Sequence, residues 1–295
     1  MDITSFAWKP STAETVSSIL HAHLLPRLGT MAVDRIDRQR ILAFRAHMVR
    51  ETTGRQGALQ LSAARTNRVM TVLRQILRES ALQDGRPDPF VGIRPLRERT
   101  ASVRPFTWKE VERLVEAAPH HLSDYILVRC LTGLRSGEVN GLRWDQVDFD
   151  AEVIRVTRAR VRSQEVIPKN VFSERDIPMT TKLCDALLRQ WIRTGTSDGF
   201  VFQAVVGGPI DTSNFANRDW PRILERASLP PRRPYHLRHT AACLMLAAGE
   251  NPTWIAKVLG HADCTMLWMV YARFVPNLTR TDGSAMEAMV ERLAA

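Results

Sequence analysis

The chain has 295 residues, 44% of them hydrophobic, and a formal net charge of +10. This length is typical of two domains with buried cores, and the positive charge predicts a polyanionic partner, nucleic acid before a membrane surface. No apolar stretch reaches membrane-spanning length and no signal peptide opens the chain, which disfavours a membrane-embedded or secreted protein.

Arginine supplies most of the positive charge, because 36 of the 41 basic residues are arginine and 5 are lysine. A guanidinium presents a planar fork of donors that suits phosphate oxygens, although a GC-rich genome would also favour arginine codons. Residues 1–100 carry 16 basic and 9 acidic side chains (net +7), and residues 101–295 carry 25 and 22 (net +3). The amino-terminal part is therefore expected to supply much of the sequence-independent attraction to nucleic acid.

The four cysteines are far apart and lack the spacing of metal ligands. They are Cys130, Cys184, Cys243 and Cys264. Three of them lie among apolar residues, as reduced thiols of a core do. We therefore expect no metal site and a location in the reducing cytoplasm.

The first predicted domain, residues 1–90, is helical throughout. A first helix is predicted to start at a cap at Ser11 or Thr12 and to be ended by Pro26 and Gly29. A second helix is predicted to begin at Asp37, because apolar residues then recur at helical spacing.

The third predicted helix begins after a cap at Ser62 and has two different faces. Its inward face is predicted to carry Val69, Leu73, Ile76 and Leu77. Its outward face carries the candidate DNA contacts Arg65, Arg68, Arg74 and Arg78. A solvated surface helix has the same pattern, so a DNA-facing helix and an ordinary surface helix are both open interpretations.

Residues 91–105 are predicted to form a basic linker, because they contain prolines and hardly any apolar periodicity. Four arginines in this segment are candidate contacts to a nucleic-acid backbone: Arg94, Arg97, Arg99 and Arg104.

The second predicted domain, residues 106–278, mixes helices with short strands. It opens with Thr107 as a helix cap and Glu110 at the capping-box position. Strands are predicted at 153–156, 165–167 and 176–179, with the second as the antiparallel neighbour of the first. Helices are predicted at 181–192, 215–227, 236–248, 253–259 and 266–274. The fold class is therefore mainly α with a small antiparallel sheet (α+β).

Short motifs in the second domain carry residues suited to phosphate chemistry. Arg135 lies in a Gly-Leu-Arg motif, Lys169 follows a proline, Arg238 lies in His-Leu-Arg-His, and His261 follows Leu-Gly. Tyr271 comes ten residues after that histidine. Each motif recurs by chance, but in this order and at these separations they resemble the tyrosine recombinase (phage integrase) family. The resemblance implies a helical core-binding domain followed by a mixed catalytic domain.

The resemblance also implies catalytic roles for these residues. Arg135 and Arg238 would bind the non-bridging oxygens of a DNA phosphate, and His261 would donate a hydrogen bond to it. Lys169, on a β-turn, would protonate the departing 5′-oxygen. Tyr271 would attack the phosphorus and form a 3′-phosphotyrosine, activated by its cationic neighbours. No cofactor, metal ion or ATP is expected.

One motif departs from the family pattern. The third motif of the family usually reads His-x-x-Arg, and Tyr235 occupies its histidine position here. His236 lies about 100° further round the helix and is expected to face elsewhere. His239 matches a position that is usually structural, and Glu138 is expected to brace Arg135. A tyrosine is a poor general base at neutral pH, so removal of the nucleophile's proton would be slower or would use water or another group.

The expected partners are a double-stranded DNA recombination site, further copies of the chain in a tetramer on paired sites, and DNA-bending accessory proteins. No membrane partner is expected.

Residues 279–295 are predicted to form an amphipathic tail that packs either on a neighbouring protomer or on its own domain. The amino-terminal end is expected to lack the arm-binding domain and the first helix that larger integrases often have, as a naturally short form, a truncation or a wrongly assigned start would.

Two other functions remain open from the sequence. A type IB topoisomerase-like enzyme would use the same chemistry without a partner site. A DNA-binding regulator that has lost catalysis is favoured only by Tyr235.

Overall fold

The computed structural model describes residues 8, 10–50, 61–98, 103–161, 164–166, 174–195, 199–271 and 284–294. The chain divides into two compact units, Met1–Ala101 and Ser102–Ala295. The division falls within the segment predicted as a linker. Of the helices in the described ranges, none is long and apolar enough to cross a membrane.

The described part of the amino-terminal unit is helical. Its helices are α1 (Pro10–Ile19), a π-helical turn (Leu20–Leu24), α2 (Leu25–Leu28), α3 (Arg38–Arg50) and α4 (Ala63–Gln83). The prediction that Pro26 and Gly29 end the first helix is confirmed for Gly29, the C-terminal cap of α2, and wrong for Pro26. Pro26 lies in the first turn of α2, where a missing N–H is tolerated, and the helical path continues to Leu28.

The prediction that Ser11 or Thr12 caps the first helix is wrong, because α1 begins at Pro10 and both residues lie within its first turn. The predicted helix starts at Asp37 and Ser62 are confirmed. The Asp37 Oδ1 accepts a hydrogen bond from the backbone N–H of Arg40 at 2.8 Å. The Ser62 Oγ accepts one from the backbone N–H of Arg65 at 3.2 Å. Each side chain satisfies a donor that the first helical turn leaves without a partner.

The core of this unit forms where α1, α3 and α4 meet. Its buried apolar side chains include Ile19, Leu24, Ile41, Phe44, Met48, Val69, Leu73 and Leu77. Ile76, predicted to face inward, is exposed, because the neighbouring Leu77 takes the core-facing position of that turn.

The first part of the predicted linker packs against α4. Ile93 is buried in the core of the amino-terminal unit. The Asn67 side chain accepts a hydrogen bond from the backbone N–H of Leu96 at 2.8 Å and donates one to its carbonyl at 2.9 Å. The Arg74 Nη2 donates to the carbonyl of Ile93 at 2.9 Å, and its guanidinium lies 5.0 Å from the ring centre of Phe90. Arg74 therefore fastens this segment to α4.

The second unit begins with the predicted capping box of Thr107 and Glu110, which is confirmed. Its longer helices are α5 (Trp108–Ala117), α6 (His120–Thr132), α8 (Thr181–Thr194), α11 (His236–Ala247), α12 (Pro252–Leu259) and α14 (Ser284–Ala294). Its shorter helices are α7 (Ser136–Asn140), α9 (Thr212–Asn214), α10 (Trp220–Arg226) and α13 (Thr265–Tyr271). The predicted helix at 215–227 starts with a π-helical turn, Phe215–Asp219, before α10.

In the part of the chain that the structure describes, five short strands form two antiparallel sheets. Strand β2 (Val153–Val156) pairs with β1 (Val147–Asp148) on one side and with β5 (Arg175–Pro178) on the other. Strand β4 (Gln164–Val166) pairs with β3 (Ala159–Val161) in a separate hairpin. The prediction that 165–167 neighbours 153–156 is therefore wrong, because both edges of β2 are already occupied. The fold class, mainly α with a small antiparallel sheet, is confirmed.

The main core of this unit lies between the helices and the three-stranded sheet. Its largest buried side chains include Tyr125, Phe202, Phe215 and Trp220. A smaller apolar cluster lies between α11, α12 and α13 and is formed by Ala242, Leu246, Ile255, Ala256, Leu259, Leu267 and Tyr271. The polar side chains described next lie where these two clusters meet.

Candidate active site

Arg135 lies at the sharp turn between α6 and α7. Helix α6 ends at Gly133, whose φ of 66° is a left-handed conformation that suits glycine. Arg135 then directly precedes α7, and its Nη1 donates to the Glu138 Oε1 at 2.8 Å. Its Nη2 donates to the carbonyl of Gly260 at 2.6 Å. The turn and these two partners hold the half-exposed guanidinium in one orientation.

Glu138 is the buried anchor of this arrangement. Its Oε2 accepts a hydrogen bond from the backbone N–H of Arg135 at 2.8 Å, and Arg175 donates to both of its oxygens at 3.2 and 2.9 Å. Burial alone would raise the pKa of Glu138, but the hydrogen bonds and charge of Arg175, with those of Arg135, lower it to about 2. Glu138 is therefore a fixed anion that positions the guanidinium of Arg135, as predicted.

Arg175, at the start of β5, is a site residue that the sequence analysis missed. Its side chain is fully buried, and its Nε donates to the carbonyl of Val258 at 2.5 Å. The predicted strand began one residue later, at 176. A buried arginine also has no distinguishing sequence signal among the 36 arginines of the chain.

Gly260 allows the two guanidiniums to approach the end of α12. Its φ is 67°, and an added Cβ would lie 3.0 Å from the Arg135 Nη1 and 3.1 Å from the Arg175 Nη1. The position therefore requires glycine both for its backbone conformation and for the space that the arginines occupy. Gly260 is also the C-terminal cap of α12.

Arg238 lies on the buried face of α11 and is 2% exposed. Its Nη1 donates to the carbonyl of Gly133 at 2.7 Å, and its Nη2 donates to that of Leu259 at 2.5 Å. Its Nε is also buried and has no hydrogen-bond partner within the described ranges. Arg238 thus connects the ends of α6 and α12.

His261 lies in the connector between α12 and α13 and points into the site, as predicted. Its Nε2 is 3.0 Å from the Nη2 of Arg238. Because a guanidinium only donates, Nε2 accepts and the proton of the neutral ring is on Nδ1. Burial, followed by the charges of Arg238, Arg135 and Arg175, lowers the pKa of His261 to about 4. The Nδ1 is buried and lacks a partner in the part of the chain that the structure describes.

Tyr271 ends α13 and is 3% exposed. Its ring packs in the small apolar cluster, and its hydroxyl lies 2.8 Å from the Nδ1 of His239. Burial raises the pKa of Tyr271 to about 12, although the charge of Arg238 acts in the opposite direction. The sequence predicted that arginines and His261 would surround this hydroxyl. In the structure the side chain that contacts it is His239, which was expected to be only structural.

Tyr235 lies at the amino-terminal end of α11 and is 44% exposed. Its ring packs edge-on against the His239 ring, with 5.1 Å between the ring centres. The His236 ring lies 5.5 Å from the same ring, and its Nδ1 is 3.0 Å from the carbonyl of Arg233. Tyr235 and His236 thus flank His239, while His239 itself contacts the Tyr271 hydroxyl.

Two of the predicted site residues, Lys169 and Arg99, lie outside the described residues. Of the other candidate DNA contacts, Arg68, Arg78, Arg94, Arg97 and Arg104 are exposed, and Arg65 and Arg74 are half-buried. The described ranges contain no group of three or more His, Cys, Asp or Glu side chains placed to hold a metal ion.

Comparison with known proteins identifies the family. Residues 104–277, more than half of the chain, match the model of the phage integrase family. The chain belongs to this family.

One curated relative is the protein named Tyrosine recombinase XerC-like of Caldanaerobacter subterraneus subsp. tengcongensis. It is 27% identical over 201 residues, which cover 59% of this chain and 51% of that protein. The chain spans 51–61% of the length of the first curated relatives that it matches.

Two solved structures show the fold. The Tn1549 transposon integrase in complex with transposon right end DNA has a TM-score of 0.76 at 23% identity and covers 98% of this chain and 95% of its own. A lambda integrase tetramer bound to a Holliday junction has a TM-score of 0.69 at 16% identity and covers 92% of this chain and 74% of its own. The fold of this chain is therefore the integrase fold.

Proposed function

We propose that this chain is a site-specific DNA recombinase that cleaves and rejoins DNA strands through a 3′-phosphotyrosine on Tyr271. The reaction would use neither a metal ion nor ATP, because the energy of the broken phosphodiester bond is kept in the new ester. Family membership supports strand exchange as the class of reaction, and the cluster of cations around Gly260 supports a phosphate as its target.

The observation that carries this proposal is a pair of buried donors. The Arg238 Nε and the His261 Nδ1 have no partner within the described residues, and a buried donor without a partner costs roughly 1–3 kcal/mol. A local shift of the surrounding side chains would open these buried donors to the non-bridging oxygens of a DNA phosphate. Arg135, half-exposed beside them, would add a further charge-assisted contact.

These contacts would stabilise the pentacoordinate transition state, which carries more negative charge than the bound phosphate. A pentacoordinate phosphorus carries an extra negative charge, and preorganised guanidinium donors interact with it more strongly than with the ground state. Tyr271 would supply the attacking oxygen, and Lys169 would protonate the 5′-oxygen as it leaves. The buried ion pair of Glu138 and Arg175 would keep Arg135 in place throughout.

The proposed partners are a double-stranded DNA recombination site and three further copies of the chain, with DNA-bending proteins as accessories. The solved integrase complexes with DNA, one of them a tetramer, support DNA and assembly as partners. Exposed arginines on α4 and near residues 94–104 would contact the DNA backbone and make binding sensitive to salt. Helix α14 would pack on a neighbouring copy.

A second candidate is a DNA-binding regulator with weakened catalysis. The burial of the Tyr271 hydroxyl against His239 favours it, because a nucleophile with a raised pKa reacts slowly. The two candidates differ in whether the protein forms a covalent bond to DNA.

The first prediction tests that difference. Duplexes bound by the protein would be selected from random-sequence DNA and rebuilt with a nick near the cleavage point, so that the cleaved fragment is lost and the ester accumulates. We expect a covalent adduct with the wild-type chain and none with Tyr271→Phe, because phenylalanine has no attacking oxygen. Both proteins should bind the DNA equally. Binding without any adduct from the wild-type chain would favour the regulator.

A further inference from the structure

His239 is the side chain in contact with the oxygen of the proposed nucleophile. It lies on α11 next to Arg238, and its Nδ1 is 2.8 Å from the Tyr271 hydroxyl on α13. The two rings are tilted by 53°, with 5.6 Å between their centres. A heavy-atom separation of this size is within the range that direct proton transfer requires.

The residue that the family pattern would use is not suited to this task. Tyr235 stands at the usual histidine position of the third motif, and a phenol with a pKa near 10 is a poor proton acceptor at neutral pH. Tyr235 is also substantially exposed, and its ring contacts the His239 ring. The chain thus places an imidazole one helical turn further along, where it reaches the hydroxyl.

We propose that His239 accepts the proton of the Tyr271 hydroxyl during strand cleavage. This inference rests on the proposed function, in which Tyr271 attacks the DNA phosphate. As the oxygen of Tyr271 bonds to phosphorus, its O–H bond breaks and an N–H bond forms at the Nδ1 of His239. The bond from phosphorus to the 5′-oxygen breaks, and that oxygen takes its proton from a separate acid. Rejoining returns the proton from His239 to the tyrosine oxygen.

The surroundings of His239 keep its ring available as an acceptor. The groups that face it are Tyr235, His236 and Arg238 from α11 and Tyr271 from α13. Burial, with the charges of His236 and Arg238, lowers the pKa of His239 to about 4, so the ring is neutral at physiological pH. A DNA phosphate entering the site would favour the imidazolium by its negative charge, which makes His239 a stronger proton acceptor.

The test measures the rate of covalent adduct formation on the nicked duplex under single-turnover conditions. His239→Asn retains a polar side chain near the Nδ1 position but cannot take up a proton. We expect it to slow adduct formation by about 100-fold or more, the usual contribution of a general base, with DNA binding unchanged. His120→Asn, at an exposed histidine that begins α6, is the control, and it should stay within a few-fold of wild type.

Chemical rescue separates proton transfer from packing. In His239→Ala, added imidazole should restore part of the lost rate, because the small base can occupy the space of the deleted ring. The inference would be overturned if His239→Asn formed the adduct as fast as wild type or faster. A faster rate would mean that the hydrogen bond from His239 only restrains Tyr271. A slow His239→Ala that binds DNA normally and does not respond to imidazole would also overturn it.

The adduct assays separate a failure of the role of His239 from a failure of the proposed recombinase function. If the wild-type chain forms no adduct, both proposals fall. If it forms an adduct that depends on Tyr271 and His239→Asn forms it equally fast, only the role of His239 is lost.

Discussion

Glu138 pairs with two arginines that differ in burial. Its removal should therefore affect both the stability of the fold and the orientation of the site. Arg175 is fully buried, whereas the side chain of Arg135 is 36% exposed. Removing the carboxylate would leave the Arg175 charge without its partner in the interior, and an uncompensated buried charge is strongly destabilising. The same removal would release Arg135 into a range of solvated conformations. Stability and phosphate positioning therefore depend on one carboxylate.

We expect Glu138→Ala to lower the free energy of unfolding by about 3–5 kcal/mol, measured by chemical denaturation. Asp145→Ala is the matched control, because Asp145 pairs with Arg158 at 3.1 Å and both side chains are more than 40% exposed. An exposed pair of this kind should contribute less than about 1 kcal/mol. Equal losses in the two variants would contradict the role of Glu138 as a buried anchor.

The stability conferred by Glu138 should also depend on pH. Its pKa is lowered from 4.5 to about 2 in the folded chain. A lowered folded-state pKa stabilises the protein above the unfolded-state pKa and loses that contribution as the pH falls toward the folded-state value. The free energy of unfolding should therefore decrease between about pH 4.5 and pH 2, and this decrease should be smaller in Glu138→Gln. An identical pH dependence in both proteins would show that Glu138 is not the group responsible.

The carboxyl-terminal ends of α6 and α12 form much of the candidate site. Arg238 donates to the carbonyls of Gly133 and Leu259, and Arg135 donates to that of Gly260. The last carbonyls of a helix lack partners within the helix and carry partial negative charge, so arginine is well suited to them. The proposed catalytic arginines thus also cap α6 and α12.

Two glycines make the importance of the α12 end testable. Gly260 and Gly249 both have positive φ, but an added Cβ meets two guanidiniums at Gly260 and nothing within 4 Å at Gly249. Alanine at either position should cost about 1–2 kcal/mol of stability for its left-handed backbone. Only Gly260→Ala should also slow adduct formation, by about 100-fold, because displaced positioning groups have effects of that size. Similar activities in the two variants would show that the contact with the arginines is not needed.

The sequence predicted most elements and motif residues of the site because those depend on local patterns. The caps at Asp37, Ser62 and Thr107 and the helices α8, α11 and α12 follow from periodicity and capping chemistry. Contacts between distant segments were not predictable in this way. Arg175 reaches Glu138 across 37 positions and His239 reaches Tyr271 across 32. Pairing of β4 with β3 likewise depends on which strand edges are already occupied.

Helix α14 has an apolar face that no other described residue buries. Met286 is 71% and Leu293 is 77% exposed, and neither belongs to a buried cluster of that part of the chain. An amphipathic helix with an exposed apolar face typically marks a docking element. This supports the proposal that α14 packs on a neighbouring copy when the protein assembles on DNA.

We expect Leu293→Arg to weaken assembly on paired DNA sites by at least about tenfold, since a charge would enter an apolar contact at a cost above about 1.4 kcal/mol. Leu82→Arg on α4 is the control, because Leu82 is similarly exposed at 68%. The stoichiometry of complexes would be measured by light scattering, and adduct formation on a single site should be retained in both variants. Unchanged assembly by Leu293→Arg would place the tail on its own domain.

The arginines of the site are proposed to bind phosphate and also stabilise the fold, so they should persist in genes that have lost recombinase activity. In a copy that is no longer selected for recombination, changes at Arg135, Arg175 or Arg238 would still impair folding, because these side chains satisfy helix-terminal carbonyls and a buried acid. Tyr271 and His239 have no such constraint beyond their mutual bond and local packing. Inactive descendants should therefore exchange Tyr271 for phenylalanine and lose His239 first while they keep the arginines, so an intact arginine set alone is a poor marker of a working enzyme.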